Sequence, residues 1–162
     1  MQVPILFSGT LKENLLMGNP NATDKEMIAA AKIANVDAIA SSLSDGYETL
    51  ISEGGKQLSG GQRQAICIAR AFVGDPKIII MDEPSSAMDS GSEQQLLEVL
   101  KDKLVNKTLI LITHRGTLLS LVSRVVVFDQ GRILADGPKD KVLQAASQQA
   151  QKKPPEESQD AR

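Results

Sequence analysis

Two acidic residues, Asp82 and Glu83, directly follow the short apolar run Ile78–Met81. Such a run predicts a buried strand, and open α/β folds bind ligands at the carboxyl ends of their strands. An aspartate at that position can hold Mg²⁺ on phosphate groups, and the adjacent glutamate can orient and deprotonate an attacking water. A strand that runs into a solvated acidic turn at Pro84 explains the same residues without any chemistry.

A glycine-rich segment, Leu58-Ser59-Gly60-Gly61-Gln62, is a second candidate site. Ser59 and Gln62 have the spacing of a capping box, so a helix is predicted to begin there. Glycines just inside a helix start let backbone N–H groups approach an anion closely, and the helix dipole favours a phosphate at that place. A well-capped helix after a glycine-rich loop is the alternative that involves no ligand.

The same segment resembles the signature motif of the ABC ATPases, and Gln62-Arg63-Gln64 with Ala69-Arg70-Ala71 extend the resemblance. Asp82 follows Gln62 by 20 residues, which is the order and approximate spacing of the family's motifs. The resemblance covers about residues 2–145. It implies an α/β fold, that of a partial P-loop-type ABC ATPase. In this fold a helical subdomain is followed by a parallel-sheet α/β block, and the N-terminal strand and the phosphate loop are lacking.

Taken residue by residue, the resemblance implies a role for each motif. Asp82 is the implied Mg²⁺ ligand, Glu83 the catalytic residue that activates water, and Gln2 a residue that contacts Mg²⁺ and senses the transport domain. His114, the only histidine of the sequence, is implied to touch the γ-phosphate, although a lone histidine at a strand end is more often structural. Other residues are implied to act across a dimer. Four belong to the signature and bind the partner's ATP, and two belong to the family's D-loop, which contacts the opposite subunit. They are Ser59, Gly60, Gly61 and Gln62 of the signature and Ser86 and Asp89 of the D-loop.

The flanking residues indicate a branch of the family. The run Phe7–Asn14 is similar to exporters rather than importers, and residues 82–89 and 113–115 resemble the ATPases of type I secretion exporters. The resemblance implies ATP with Mg²⁺ as the ligand of the intact domain, a second nucleotide-binding domain and a membrane-spanning exporter domain as partners. The resemblance implies a cytoplasmic location, with the chain peripheral to the cytoplasmic face of the inner membrane when it is assembled with these partners. Glu53-Gly54-Gly55 departs from the exporter pattern, which often has an arginine in the middle position that helps to couple the two halves.

No G-x-x-x-x-G-K-[ST] phosphate loop occurs in the sequence, since Gly55-Lys56 is followed by Gln57. In P-loop ATPases this loop holds the phosphates and its Ser or Thr completes the Mg²⁺ shell. We therefore expect the isolated chain not to hydrolyse ATP, although it resembles a piece of an exporter ATPase. A non-enzymatic remnant or partner-binding fragment is the alternative, and an ABC ATPase that acts on chromosomes or ribosomes is a further one.

The elements that position these residues fall into three parts: a helical subdomain over about 8–75, an α/β core over about 76–146 and a disordered tail over 147–162. Four capping boxes predict helix starts, with Ser or Thr followed three residues later by Glu or Gln. They begin at Thr10, Thr23, Ser59 and Ser90. Apolar runs without alternation predict strands buried on both faces of a parallel sheet, at 78–81, 108–113 and 124–128. A helix over 93–104 makes the first two a β-α-β unit, 132–135 is one more strand, and a last helix is expected to begin at Pro138.

Composition excludes several classes of protein. The net charge is −2 and aromatic residues make up 2% of the chain, so neither a basic field nor stacking platforms exist for nucleic acid, and no nucleic-acid partner is expected. The apolar runs are too short to span a membrane, and the amino-terminal residues do not have the pattern of a signal peptide. The single cysteine, Cys67, is interpreted as a buried apolar residue of a helix.

Overall fold

The structure is a computed structural model that describes residues 4–152, and the chain divides into two compact units after Gly116. The first unit contains four helices, α1 to α4, and then a strand-helix-strand segment. The second contains a hairpin and a last helix. The helices are α1 Leu11–Leu16, α2 Asp24–Ile33, α3 Val36–Ser42, α4 Gly60–Phe72, α5 Ser90–Lys103 and α6 Lys139–Lys152. The strands are β1 Gly9–Thr10, β2 Leu50–Ile51, β3 Ile78–Asp82, β4 Thr108–Ile112, β5 Arg124–Asp129 and β6 Arg132–Pro138. Short 3₁₀ turns lie at Gly46–Glu48, Glu53–Gly55 and Gly116–Leu121.

Three of the four predicted capping boxes are present, at Thr10, Thr23 and Ser59. The fourth prediction is wrong. Helix α5 is capped by Asp89, whose Oδ1 accepts from the N–H of Ser92 at 2.9 Å, and Ser90 is already the first helical residue. Asp89 and Ser90 are adjacent, and both residue types can cap a helix. The aspartate is the cap because a carboxylate caps as well as a hydroxyl and also interacts favourably with the helix dipole.

This difference makes a matched pair of serine substitutions informative. Ser59→Ala removes the acceptor for the N–H of Gln62, at 3.1 Å, and is expected to lower the free energy of unfolding by about 1 kcal/mol. Ser90→Ala removes no cap and should change it by less than about 0.5 kcal/mol. Urea unfolding of the chain measures both values, and equal losses at the two serines would contradict this account of the helix starts.

The core of the first unit forms around α4, which packs against α1, α2 and α3. Helix α4 places its apolar residues on one face at helical spacing, and that stripe meets the apolar faces of its neighbours. The fully or nearly buried side chains of this core include Leu11, Leu15, Met27, Ala30, Val36, Ala65, Ile66, Ala69 and Phe72. Because the signature segment (Leu58–Gln62) begins the helix that anchors this core, its position is fixed by the packing of the whole unit.

Strands β3 and β4 are parallel, in the register Ile78 with Thr108 through Asp82 with Ile112, and α5 connects them. This confirms the predicted β-α-β unit. The prediction of burial on both faces is wrong, because the strands alternate: Ile79 and Met81 are buried, whereas one face remains exposed. That face presents Ile78, Ile80, Ile110 and Ile112, which are 48–63% exposed.

The run at 124–128 does form a strand, but it does not join the parallel pair. Strand β5 forms an antiparallel hairpin with β6, in which Asp129 pairs with Arg132. The two residues between them, Gln130 and Gly131, have φ of 46° and 76°, the positive values that a tight two-residue hairpin turn requires. The local turn therefore decided the pairing. Strand β6 also continues past the predicted Ala135, and a bidentate pair between Arg124 and Asp136, with both contacts at 2.8 Å, joins the two strands.

Helix α6 begins at Lys139, one residue later than predicted, because β6 extends to Pro138. It continues to Lys152, so residues 147–152 of the predicted tail are helical in the structure, and residues 153–162 lie outside the described part. Gln2 also lies outside it. Among residues 4–152, no helix has both the length and the apolar character needed to cross a bilayer.

Candidate functional site

Glu83 occupies the edge of the sheet where β3 and β4 end. Its N–H donates to the carbonyl oxygen of Ile112 at 2.9 Å, which ties the residue to the end of the neighbouring strand. Its backbone has a φ of 46°, in the left-handed region that few residues other than glycine adopt. A glutamate keeps this conformation only where its surroundings hold it, and such backbone positions concentrate at functional sites. Asp82, the last residue of β3, is exposed beside it.

The carboxylate of Glu83 meets His114, which is 31 residues later in the chain. Glu83 Oε1 accepts from the backbone N–H of His114 at 3.0 Å and lies 2.7 Å from the ring nitrogen Nδ1. The Glu83 side chain is 23% exposed and that of His114 is 79% exposed, so one face of the pair is open to a ligand. The structure thus brings together two residues that the sequence presented separately, and the carboxylate has a fixed direction at the strand ends.

The signature segment lies at the start of α4, with Ser59 exposed at the helix cap. Its capping box uses the side chain of Gln62, whose Oε1 accepts from the N–H of Ser59 at 2.8 Å. Within the chain that the structure describes, the N–H groups of Gly60 and Gly61 have no hydrogen-bond acceptor. These are the first-turn amides that can bind an anion. Gln62 is therefore engaged in the helix cap, whereas the two glycines leave donors available.

The D-loop (Ser86–Asp89) packs against this helix start. A Cβ atom at Gly60 would lie 3.3 Å from the Cβ of Ala87, and one at Gly61 would lie 3.3 Å from the carbonyl oxygen of Ala87. The glycines thus allow a close approach of the two segments. At the end of the loop, Asp89 caps α5, and the backbone N–H of Ser92 holds the pKa of the Asp89 carboxyl below its ordinary value. The cap's contribution to stability is present above the ordinary aspartate pKa and is lost as pH falls through the lowered one.

The segment that follows Gln2 is also attached to α4. Asn14, which is completely buried, accepts from the N–H of Phe7 at 3.0 Å and donates to its carbonyl oxygen at 2.9 Å. Arg70 donates to the carbonyl oxygen of Asn14 at 2.8 Å, and its guanidinium lies 5.8 Å from the centroid of the Phe7 ring. Sequence reasoning did not single out Asn14, and it noted Arg70 only as part of the resemblance. A polar residue among the apolar positions of a helix is the signal that would have revealed Asn14.

Another residue that sequence reasoning missed as a site residue is Gln64. It is 6% exposed on the buried face of α4, and its amide makes hydrogen bonds to Glu83, Ser86 and Ala87. Cys67, one turn further along, is half-buried rather than buried, and this burial raises the pKa of its thiol. A cavity of about 220 Å³ lies between this stretch of α4 and the acids of β3.

The donor set at the sheet edge fits a magnesium ion that is held mainly by its nucleotide. No group of three or more His, Cys, Asp or Glu side chains that could hold a metal occurs among residues 4–152. Mg²⁺ in phosphate-transfer sites commonly takes one or two carboxylates and completes its shell with phosphate oxygens and waters. Asp82 supplies one such carboxylate, so the residues present suit Mg²⁺ bound together with a phosphate ligand rather than alone.

Comparison with known proteins decides the family. The sequence profile of the ABC transporter family matches residues 2–86, more than half of the chain. The chain belongs to the ABC transporter family. The match contains the signature segment, both acids of β3 and the first residue of the D-loop, and members of this family use ATP with Mg²⁺.

Exporters are among the ABC transporters to which this chain is similar. A multidrug efflux ATP-binding/permease protein of Mycobacterium bovis is 41% identical over 138 residues, which cover 85% of this chain and 12% of that protein. An uncharacterized ABC transporter ATP-binding protein of Bacillus subtilis is 39% identical over 143 residues, with coverages of 88% and 24%. The solved structure of a bacterial Atm1-family ABC exporter with ATP bound matches with a TM-score of 0.82 at 32% identity, covering 96% of this chain and 28% of that one.

These comparisons confirm the expected family, the exporter relationship and the partial ABC ATPase fold. The chain spans only 12–24% of the length of the two curated relatives and 28% of the solved exporter. The narrower resemblance to type I secretion exporters is not tested by them and stays a prediction. The same holds for the roles of the individual site residues in this ABC transporter chain.

Proposed function

We propose that this chain supplies the signature segment and the catalytic sheet edge of an exporter ATPase, which hydrolyses ATP to drive transport across a membrane. The observation that carries the proposal is the Glu83 carboxylate, fixed by the N–H and the ring of His114 at the end of β3 and open on one side. A carboxylate with a fixed direction can orient a water and accept its proton. The exposed Asp82 beside it can hold the Mg²⁺ of the nucleotide, which neutralises charge on the phosphates.

The remaining site residues divide between two nucleotides: the one bound at this sheet edge and the one bound by a second nucleotide-binding domain. His114, which is mostly exposed at the strand end, would touch the terminal phosphate of a nucleotide bound at this edge. Gly60 and Gly61 present free amide donors beside the exposed Ser59 at the helix start, which suits the phosphates of an ATP held by a second nucleotide-binding domain. Gln2, Gln62, Ser86 and Asp89 keep the roles that the family resemblance implies. Of these four, Gln62 and Asp89 also cap helices in this structure.

The chain is proposed to work within a larger complex, here called the exporter assembly, at the cytoplasmic face of a membrane. The assembly adds a membrane-spanning domain, a second nucleotide-binding domain and a phosphate loop. The exposed face of β3 and β4 supports this, since Ile78 and Ile80 are 62% and 63% exposed, whereas parallel strands are ordinarily covered on both faces. Further α/β structure that covers this face and brings the phosphate loop to Asp82 would complete the site.

The isolated chain is expected to bind ATP no better than about millimolar, a binding free energy near −4 kcal/mol, and to hydrolyse none. The reason is that Asp82 and His114 meet the terminal phosphate and its Mg²⁺, whereas no phosphate loop in this sequence holds the rest of the nucleotide. Equilibrium titration of the purified chain with Mg-ATP measures the affinity. A micromolar affinity, or turnover by the chain alone, would contradict the expectation.

The proposed function is tested by isolating the exporter assembly through an affinity tag on this chain. Membranes of cells that produce the tagged chain are dissolved in detergent, the assembly is captured, and ATP hydrolysis is measured. The expected result is Mg²⁺-dependent hydrolysis in the captured material, lost when Glu83 is replaced. Capture of the folded chain without any Glu83-dependent hydrolysis would instead support the alternative of a non-enzymatic partner-binding fragment.

A further inference from the structure

Gln64 lies one turn into α4, and its side-chain amide is enclosed against the loop that follows β3. Nε2 donates to the carbonyl oxygen of Glu83 at 2.8 Å and to the Oγ of Ser86 at 3.1 Å. Oε1 accepts from the N–H of Ala87 at 2.8 Å. Both donors and the acceptor of this 6% exposed side chain are therefore directed at a single loop. Such a fully satisfied buried polar group fixes the arrangement of the segments that it joins.

The carbonyl oxygen that Gln64 holds belongs to the residue with the unusual backbone. Glu83 has a φ of 46°, and its N–H is held by the carbonyl oxygen of Ile112. The carbonyl oxygen on its carboxyl side accepts from Gln64 and, at 3.2 Å, from the backbone N–H of Ser86. These contacts fix the peptide groups on either side of the Glu83 Cα, and so they set the direction of its side chain. That direction takes the carboxylate to His114.

We infer that Gln64 is a positioning residue for hydrolysis, which keeps the Glu83 carboxylate aimed at the open side of the sheet edge. The inference rests on the proposed function, because it takes Glu83 to be the residue that activates water. Gln64 does not touch that carboxylate and acts only through the backbone of the loop. Because Gln64 and the signature glycines share α4, the same side chain also connects the catalytic loop to the helix that begins with Gly60 and Gly61.

The first test measures the position of the carboxylate in the chain itself, without ATP. Gln64→Met keeps the length and much of the volume of the side chain but removes its three hydrogen bonds. Amide hydrogen exchange followed by NMR should then be faster at His114, whose N–H contacts Glu83 and not Gln64, by about two- to tenfold. The control Gln144→Met makes the same change at an exposed position of α6 and should leave that exchange rate unchanged.

The second test measures hydrolysis by the exporter assembly. Displacing a catalytic group by about 1 Å can cost about 100-fold, so kcat of Gln64→Met should fall by about 10- to 100-fold, with KM for ATP within about twofold of the wild-type value. In a Glu83→Gln background the same change should have no further effect, because residues that act as a unit are not additive. A residue that only stabilises the fold would add its effect in both backgrounds.

Either test can overturn the inference. Unchanged exchange at His114, a raised KM at constant kcat, or an effect that persists in the Glu83→Gln background would each do so. If Gln64→Met does not fold, Gln64→Asn, which withdraws the amide by one methylene, replaces it in both experiments. Failure of both variants to fold would show that the role is purely structural. If Glu83→Gln itself leaves hydrolysis intact, the proposed function fails, whereas the exchange at His114 still reports whether Gln64 positions the carboxylate.

Discussion

Replacing Glu83 with glutamine is expected to slow ATP hydrolysis by the exporter assembly by about 10²- to 10⁴-fold, the range that a positioned general base contributes. The glutamine amide matches the carboxylate in shape but cannot accept the proton of the attacking water. Binding should survive, because the carboxylate acts on the water rather than on the bound nucleotide. Steady-state kinetics of the assembly should therefore show a lowered kcat with little change in KM for ATP.

The control for this substitution is Glu98→Gln, which neutralises an exposed acid on α5. It removes the same charge from the chain and should leave kcat unchanged. A Glu83→Gln assembly that turns over at the wild-type rate would remove the catalytic role from Glu83. The two variants together separate loss of the base from a general effect of charge on the assembly.

Replacing Gly18 with alanine is expected to lower the free energy of unfolding of the chain by about 1–3 kcal/mol, the usual cost of forcing extra atoms into a packed site. A Cβ atom at Gly18 would overlap the carbonyl oxygen of Arg70 and lie 3.2 Å from the Cβ of Val73. The clash involves backbone, which cannot move aside as the end of a flexible side chain can. The turn after α1 would have to separate from the end of α4, where Arg70 holds Asn14.

Gly116→Ala is the matched control, since a Cβ atom at Gly116 meets nothing within 4 Å and its φ is not positive. It should change the free energy of unfolding by less than about 0.5 kcal/mol. Urea unfolding compares the two variants under identical conditions. Equal stability of both variants would mean that the turn at Gly18 can move away from Arg70 at little cost in free energy. The close approach to Arg70 would then not restrict the residue type at position 18.

The sequence by itself determined the features that depend on neighbouring residues. Capping boxes at Thr10, Thr23 and Ser59, the strand that ends in Asp82 and the turn at Gln130-Gly131 are each encoded within a few residues, because caps and turns are made by local hydrogen bonds. The family resemblance followed from the same local motifs. At the start of α5 the predicted cap, Ser90, was wrong, because the adjacent Asp89 can also cap a helix.

Only the tertiary structure decided which distant groups meet. The contact of Glu83 with His114, the amide of Gln64 on the catalytic loop and the approach of Gly18 to Arg70 join residues that are 19 to 52 positions apart. The exposure of one face of β3 and β4 likewise depends on which segments cover the two strands. The spacing of apolar residues predicts which face of a strand is apolar, but what covers that face depends on how the connecting segments fold back. The residues next to a strand in the sequence therefore do not specify what packs on it.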